Sequence, residues 1–229
     1  MAEPTSIPLN AAGLAIEGES MRIIDAEVAS PRKFAGPEWT VVRRMIHASA
    51  DFELLDLVHI HPRAVEAGRS ALRRGCPVIT DTRMALAGLS TRLYSPLGCS
   101  LHCLIDDPRT VTQAQSMGST RAAAAVDVAA REYPEAVWLV GNAPTALLRL
   151  LELTDGGQIV PALVVGMPVG FVQAAESKQA LLEHTAIPSL LIRGRKGGSA
   201  LAAAALNALA GITLSDIAIK GTDQPGGNA

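Results

Sequence analysis

A chain of 229 residues, 48% of them apolar, is long enough for one large α/β domain with its own core. Only 3% are aromatic, so Ala, Leu and Val must build that core, and a formal net charge of −2 gives no sign of a nucleic-acid binder. Three cysteines, Cys76, Cys99 and Cys103, are too few for a disulfide framework and fit a reducing cytoplasm.

In chain order, residues 1–18 read as an irregular arm, followed by a helix near 19–29. The start Met1-Ala2-Glu3-Pro4 lacks the charged-then-apolar pattern of a secretory leader. Gly36-Pro37-Glu38 opens the next helix, with Val41, Val42, Met45 and Ile46 on one face, ending around His47-Ala48-Ser49. Residues 57–61 read as a strand. Pro62 opens a helix that closes at Gly75. A short strand at 77–80 leads into Asp81-Thr82-Arg83-Met84, and another is expected near 101–105. Residues 112–131 read as one long alanine-rich helix.

Three strand–loop–helix units follow. Strand-like runs at 137–140, 162–165 and 189–192 enter Gly141-Asn142-Ala143-Pro144-Thr145, Gly166-Met167-Pro168-Val169-Gly170 and Arg193-Gly194-Arg195-Lys196-Gly197-Gly198-Ser199. Alternating elements of this kind predict a single α/β domain: a mainly parallel sheet with helices on both faces, in three α/β/α layers. Its loops line one sheet edge, where backbone amides and helix N-termini suit anionic ligands. The domain is placed at 19–215, with a flexible tail at 216–229. No apolar run is read as approaching the roughly 20 residues of a membrane span.

Generic catalytic signatures are absent: no G-x-x-x-x-G-K-[ST], G-x-G-x-x-G opening a helix, G-x-S-x-G or H-E-x-x-H occurs. His59-x-His61 puts two imidazoles on one strand face, and Cys99-x-x-x-Cys103 with His102 offers soft ligands. Neither has a second pair at structural-zinc spacing, so polar strand residues and small buried thiols are the plainer reading. His47 stands out at the end of an amphipathic helix, just before Asp51 and Glu53, where an imidazole can protonate a substrate nitrogen. Arg121 follows Gly118-Ser119-Thr120 and can fork onto a carboxylate. In Arg193–Ser199 three cations surround paired glycines, with Ser199 able to cap the helix behind.

Seven segments in order carry a resemblance. They are Arg44-Met45-Ile46-His47-Ala48; Asp81-Thr82-Arg83-Met84; Gly118-Ser119-Thr120-Arg121; Gly141-Asn142-Ala143-Pro144-Thr145-Ala146-Leu147; Gly166-Met167-Pro168-Val169-Gly170-Phe171-Val172; Ala175-Glu176-Ser177-Lys178; and Arg193-Gly194-Arg195-Lys196-Gly197-Gly198-Ser199-Ala200. Together, over roughly residues 16–211, the chain resembles the precorrin-8X methylmutase family of cobalamin biosynthesis. The resemblance implies an isomerase that moves a methyl group from C-11 to C-12 of a contracted tetrapyrrole, with no redox or nucleotide cofactor. It implies His47 as the group that protonates, or hydrogen-bonds to, the ring C nitrogen, with no protein-bound metal. Substrate contacts are expected from Ser20, Asp81, Thr82, Met84, Thr120, Arg121, Asn142, Thr145, Lys196, Gly197, Gly198 and Ser199, with Val169 and Phe171 also placed to cover the macrocycle. A homodimer in the cytoplasm, with no nucleic-acid or membrane partner, goes with it. Where some members carry a tyrosine this chain has Glu17, and Ile16-Glu17 with Thr80-Asp81-Thr82 points towards the cobalt-bearing substrate. Two other readings are a non-catalytic tetrapyrrole-binding protein and a phosphate-ligand α/β enzyme using the Arg193–Ser199 loop.

Overall fold

The computed structural model describes residues 11–222. Six strands form one sheet: β1 Val58–Ile60, β2 Val78–Thr80, β3 Leu101–Cys103, β4 Val137–Val140, β5 Leu163–Gly166 and β6 Ser189–Ile192. Their order is β1-β6-β5-β4-β2-β3. All neighbours are parallel except β1 with β6, which is antiparallel and pairs Val58 with Ile192. The mainly parallel sheet agrees with the expectation. The reversed edge strand does not show in the sequence, because strand periodicity carries no direction.

Alternation along the strands separates two cores. Val137, Leu139, Leu163, Val165, Leu190 and Ile192 face one side, while Trp138, Val140, Val164 and Leu191 face the other. The first side is covered by α1 Ala11–Glu27, α2 Gly36–Ser49, α4 Ala64–Arg73, α5 Arg83–Gly88 and α11 Ser199–Thr222. The second is covered by α8 Arg121–Glu132, α9 Pro144–Asp155 and α10 Ala174–Glu183. Each wholly buried leucine here, such as Leu139 or Leu163, contributes about 1.5–3 kcal/mol relative to exposure. This is the expected three-layer arrangement. Short helices α3 Leu54–Leu57 and α6 Thr91–Tyr94, and α7 Pro108–Met117, complete the chain.

The structure corrects several boundaries. Helix α1 begins at Ala11, inside the stretch read as an arm; residues 1–10 lie outside the described residues. The single helix expected at 112–131 is two. Gly118 ends α7 with φ 59°, and the Thr120 hydroxyl starts α8 by accepting from the Ala123 amide at 3.2 Å. Alanine content hid that break. Helix α11 runs to Thr222, through the first part of the expected tail, and residues 223–229 are outside the described range.

By length and composition Ser199–Ile219 is also apolar enough to cross a membrane, against the reading that no run came near. Alanine counts as apolar, and Asp216 is its only charged residue. Its buried positions, Ala202, Ala203, Ala205, Leu206, Leu209 and Ala210, join the first core. A helix buried on most sides must be apolar on most sides. It packs on α2, α4 and α5, and a Cβ added at Gly88 would stand 2.8 Å from the Ala203 Cβ.

Candidate functional site

The loops leaving the parallel strands gather at one sheet edge, and their anion-seeking groups are already engaged. Asp81, at the end of β2, is buried. Its carboxylate accepts from Gly141 N at 3.0 Å and from Asn142 N and Ala143 N at 2.7 Å each. Burial pushes its pKa up, against the pull of those three amides. This corrects two expectations. The Asp81 carboxylate is turned inward and taken up by the loop, and the amides of Gly141 and Asn142 serve that internal group. A buried carboxylate must be hydrogen-bonded, and this loop supplies the donors. What stays outward on α9 is the Thr145 hydroxyl, 2.8 Å from that of Thr120.

The loop from Arg193 to Ser199 is pinned from several directions. Gly198, at φ 124°, donates its amide to the Met167 carbonyl at 2.8 Å. A Cβ at Gly197 would fall 2.2 Å from that same oxygen, so only glycine fits. Ser199 is buried; its hydroxyl lies 3.1 Å from that of Thr82. Thr82 in turn caps α5 by accepting from Ala85 N at 3.1 Å. Thr82 and Ser199 thus lock one loop to the next, and Ser199 bonds Thr82 instead of the expected capping of α11. Lys196 reaches away from the sheet edge, donating to Asp51 and Glu53 at 2.7 Å each. That hydrogen bond is the main reason the Asp51 carboxyl sits below its ordinary range. Lys178 on α10 is buried, and its ammonium donates to the Lys196 carbonyl at 2.5 Å. Burial pushes this amine down to about 8.

His47 occupies the last turn of α2. Pro37 starts that helix, and Ala50, in the left-handed region at φ 52°, ends it with its amide on the Ile46 carbonyl at 2.7 Å. The imidazole is half-buried and engages no hydrogen-bonding partner among the described residues. It lines an open groove of about 300 Å³ with Ser20, Ile23, Ile24 and Glu27 of α1, and with Ile46, Ala50 and Phe52. Asp25 fastens α1 across α2, accepting from Trp39 Nε1 at 2.8 Å and Arg43 at 2.5 Å. Glu17 pairs with Arg44, adding a second clasp between the two helices. The structure therefore brings Ser20 to His47. The Ser20 hydroxyl donates to the Ile16 carbonyl at 3.0 Å, one helical turn back, and keeps its lone pairs available.

Arg121 does not line the His47 groove. It stands at the start of α8, 60% exposed, 3.5 Å from Asp106, which Arg83 also holds at 2.5 Å. An exposed pair at that distance is worth little, so Arg121 can exchange Asp106 for another carboxylate. Met84, Phe171 and Val172 are strongly exposed apolar side chains, and Val169 is exposed to a lesser degree. Arg195 lies over the Phe171 ring at 5.4 Å. Lys196, next to Arg195, bridges to Asp51 and Glu53 just beyond the end of the His47 helix. Sequence reasoning gave Asp51 and Glu53 no role; the cluster of cations opposite them was the available signal. Lys178 was likewise passed over, its burial being unreadable from a helix of mixed composition.

The metal-like spacings resolve into ordinary contacts. His61 Nδ1 accepts from Arg63 N, leaving Nε2 to donate to the Thr185 carbonyl, both at 3.1 Å. His102 stacks on Tyr133 at 4.7 Å. Burial pushes the Cys99 thiol up to about 11, a poor state for a metal ligand. Among the described residues no three potential ligands converge.

Comparison with known proteins adds to this geometry. Residues 15–212 match the family model described as precorrin-8X methylmutase. A cobalt-precorrin-8 methylmutase of Leptospira interrogans is 45% identical over 204 residues, covering 86% of this chain and 92% of that one. The corresponding protein of Salmonella typhimurium is 46% identical over 199 residues, covering 85% and 92%. A precorrin-8X methylmutase of Sinorhizobium is 43% identical, covering 86% and 94%. The solved precorrin-8X methyl mutase of Thermus thermophilus superposes with a TM-score of 0.82 at 45% identity, covering 89% of this chain and 98% of that one.

Proposed function

The chain belongs to the precorrin-8X methylmutase family, and from that premise we propose that it moves a methyl group from C-11 to C-12 of a contracted tetrapyrrole, as an isomerase. The observation that carries the reading is the His47 groove: a half-buried, unengaged imidazole among apolar walls, with the Ser20 hydroxyl beside it. His47 donates a hydrogen bond or a proton to the ring C nitrogen. Electron density is drawn through the conjugated system, and the methyl group migrates with its bonding pair to the neighbouring carbon. Atoms and electrons balance within the substrate, so no oxidant, nucleotide or protein-held metal is called for. The protein's share is general-acid assistance by a group fixed in place beforehand.

Binding follows from the charge arrangement. The substrate is flat and edged with carboxylates. Arg121 takes one of them by giving up its weak pair with Asp106. Exposed Met84, Val169 and Phe171 cover the macrocycle face, and Thr120, Thr145 and the Lys196–Ser199 loop border it. Ile16-Glu17 and Thr80-Asp81-Thr82 favour cobalt-precorrin-8, whose cobalt arrives inside the substrate. Exposed Leu14, Ile16 and Ile23 on α1, beside the groove, support a homodimer that covers them. Three free thiols accord with a cytoplasmic setting. A phosphate-ligand enzyme is disfavoured, because the amides of Gly141, Asn142 and Ala143 already hold Asp81.

The test is an absorption titration with hydrogenobyrinic acid and its cobalt form, the product types, followed by conversion of cobalt-precorrin-8. Tight stoichiometric spectral change with either is expected, and the preferred form reports the substrate's metal state. A folded protein that binds neither would overturn the proposal.

A further inference from the structure

Among the described residues, Lys178 is the one buried ammonium, and the proposed chemistry leaves it unused. It is 1% exposed, on the face of α10 turned to the second core, among the largest fully buried side chains of the chain. An apolar side chain of similar length would fill the same space without the desolvation cost of a charge. What the ammonium gains is one acceptor, the Lys196 carbonyl at 2.5 Å. That carbonyl belongs to the residue whose side chain ties the loop to Asp51 and Glu53. Gly197 and Gly198, next in the chain, are pressed against the Met167 carbonyl. The loop is thus held at its back by the end of β5, at its tip by the segment after His47, and from beneath by Lys178.

Without the lysine, the Lys196 carbonyl turns towards water, and the side chain beyond it loses its fixed starting point. The glycines on either side supply no stiffness of their own. Gly194 at φ 75° and Gly198 at φ 124° make this a segment whose geometry depends on its anchors. The depressed amine, at about 8, shows what the environment charges for that anchor.

We propose that Lys178 is a positioning residue for the methyl-migration reaction, fixing the Lys196–Ser199 loop in register with the His47 helix so that the loop meets the substrate's carboxylate rim. The inference rests on the functional reading above. It adds that a residue with no substrate contact sets how tightly the corrinoid is held.

The experiment compares the full-length protein with Lys178→Met and Lys178→Gln. Circular dichroism checks the fold, hydrogenobyrinic acid titration gives Kd, and conversion of cobalt-precorrin-8 gives KM and kcat. A charge-assisted hydrogen bond lost from a binding loop predicts Kd and KM raised about tenfold in Lys178→Met, with kcat within about threefold. Lys178→Gln, which keeps a neutral donor, should fall between. A purely structural lysine would behave otherwise: a smaller folded fraction lowers apparent kcat and leaves KM alone. Unchanged Kd and KM in folded variants, loss confined to kcat, or failure of both variants to fold would each overturn the proposal. Absence of corrinoid binding by the unsubstituted protein would instead sink the functional reading, and this inference with it.

Discussion

Asp81→Asn isolates the internal carboxylate that organises the sheet edge. The native oxygens accept three amides, one from Gly141 and two from Asn142 and Ala143. Asparagine has one oxygen. Its best placement keeps the two 2.7 Å contacts, which leaves its NH2 facing the Gly141 N–H at the former 3.0 Å contact, donor against donor. A lost hydrogen bond to a charged group costs about 1.5–3 kcal/mol. Part is offset, since the substitution also removes a buried charge whose pKa burial pushes up. We expect a net loss of about 2 kcal/mol, which in a chain of this size lowers Tm by about 4–8 °C. Asp81→Ala orphans all three amides and should cost more. Thermal melts followed by circular dichroism read both. An Asp81→Asn protein melting within about 1 °C of the native one would refute the reasoning.

Other expectations concern ligand and pH. His47→Ala should lower turnover of cobalt-precorrin-8 by about 100-fold or more while corrinoid affinity stays within about threefold. Arg121→Ala should do the reverse, weakening affinity about tenfold with little change in kcat; equal loss of binding in both variants would contradict this division. Gly197→Ala places a Cβ 2.2 Å from the Met167 carbonyl, so the loop must shift and titration should show corrinoid affinity reduced roughly tenfold or more. Asp51 is held below its ordinary value of 3.8, first by the Lys196 hydrogen bond. A folded pKa below the unfolded one stabilises above 3.8 and is lost as pH falls through the lowered value. Lys196→Met should therefore have a slightly lower denaturant midpoint than the native protein near neutrality, and the two midpoints should converge in acid.

The layers were legible because β4, β5 and β6 are short apolar runs that lead into glycine-bearing loops, and their helices open with proline or small residues. The His47 helix was legible from Pro37 and the spacing of Val41, Val42, Met45 and Ile46. What sequence could not give was pairing across distance. Nothing local says that Asp81 accepts from a loop sixty residues on, or that Lys196 meets Asp51. The amides after β4 were read as an anion site for a ligand, whereas the anion they hold is the chain's own. The seven segments named the family because their order survives where any one of them is weak. Helix α1 was missed over its first residues because Leu14 and Ile16 face solvent there and break the core-facing pattern.

Both margins of the sheet are three-residue strands, β1 at one side and β3 at the other. Pro62 follows β1 and Pro108 follows β3 within a short loop. So few ladder groups, next to residues that cannot donate, make a poor template for a further strand. Copies of this chain therefore have little means of joining sheet to sheet. Margins this short keep an alanine-rich chain away from open-ended β-stacking.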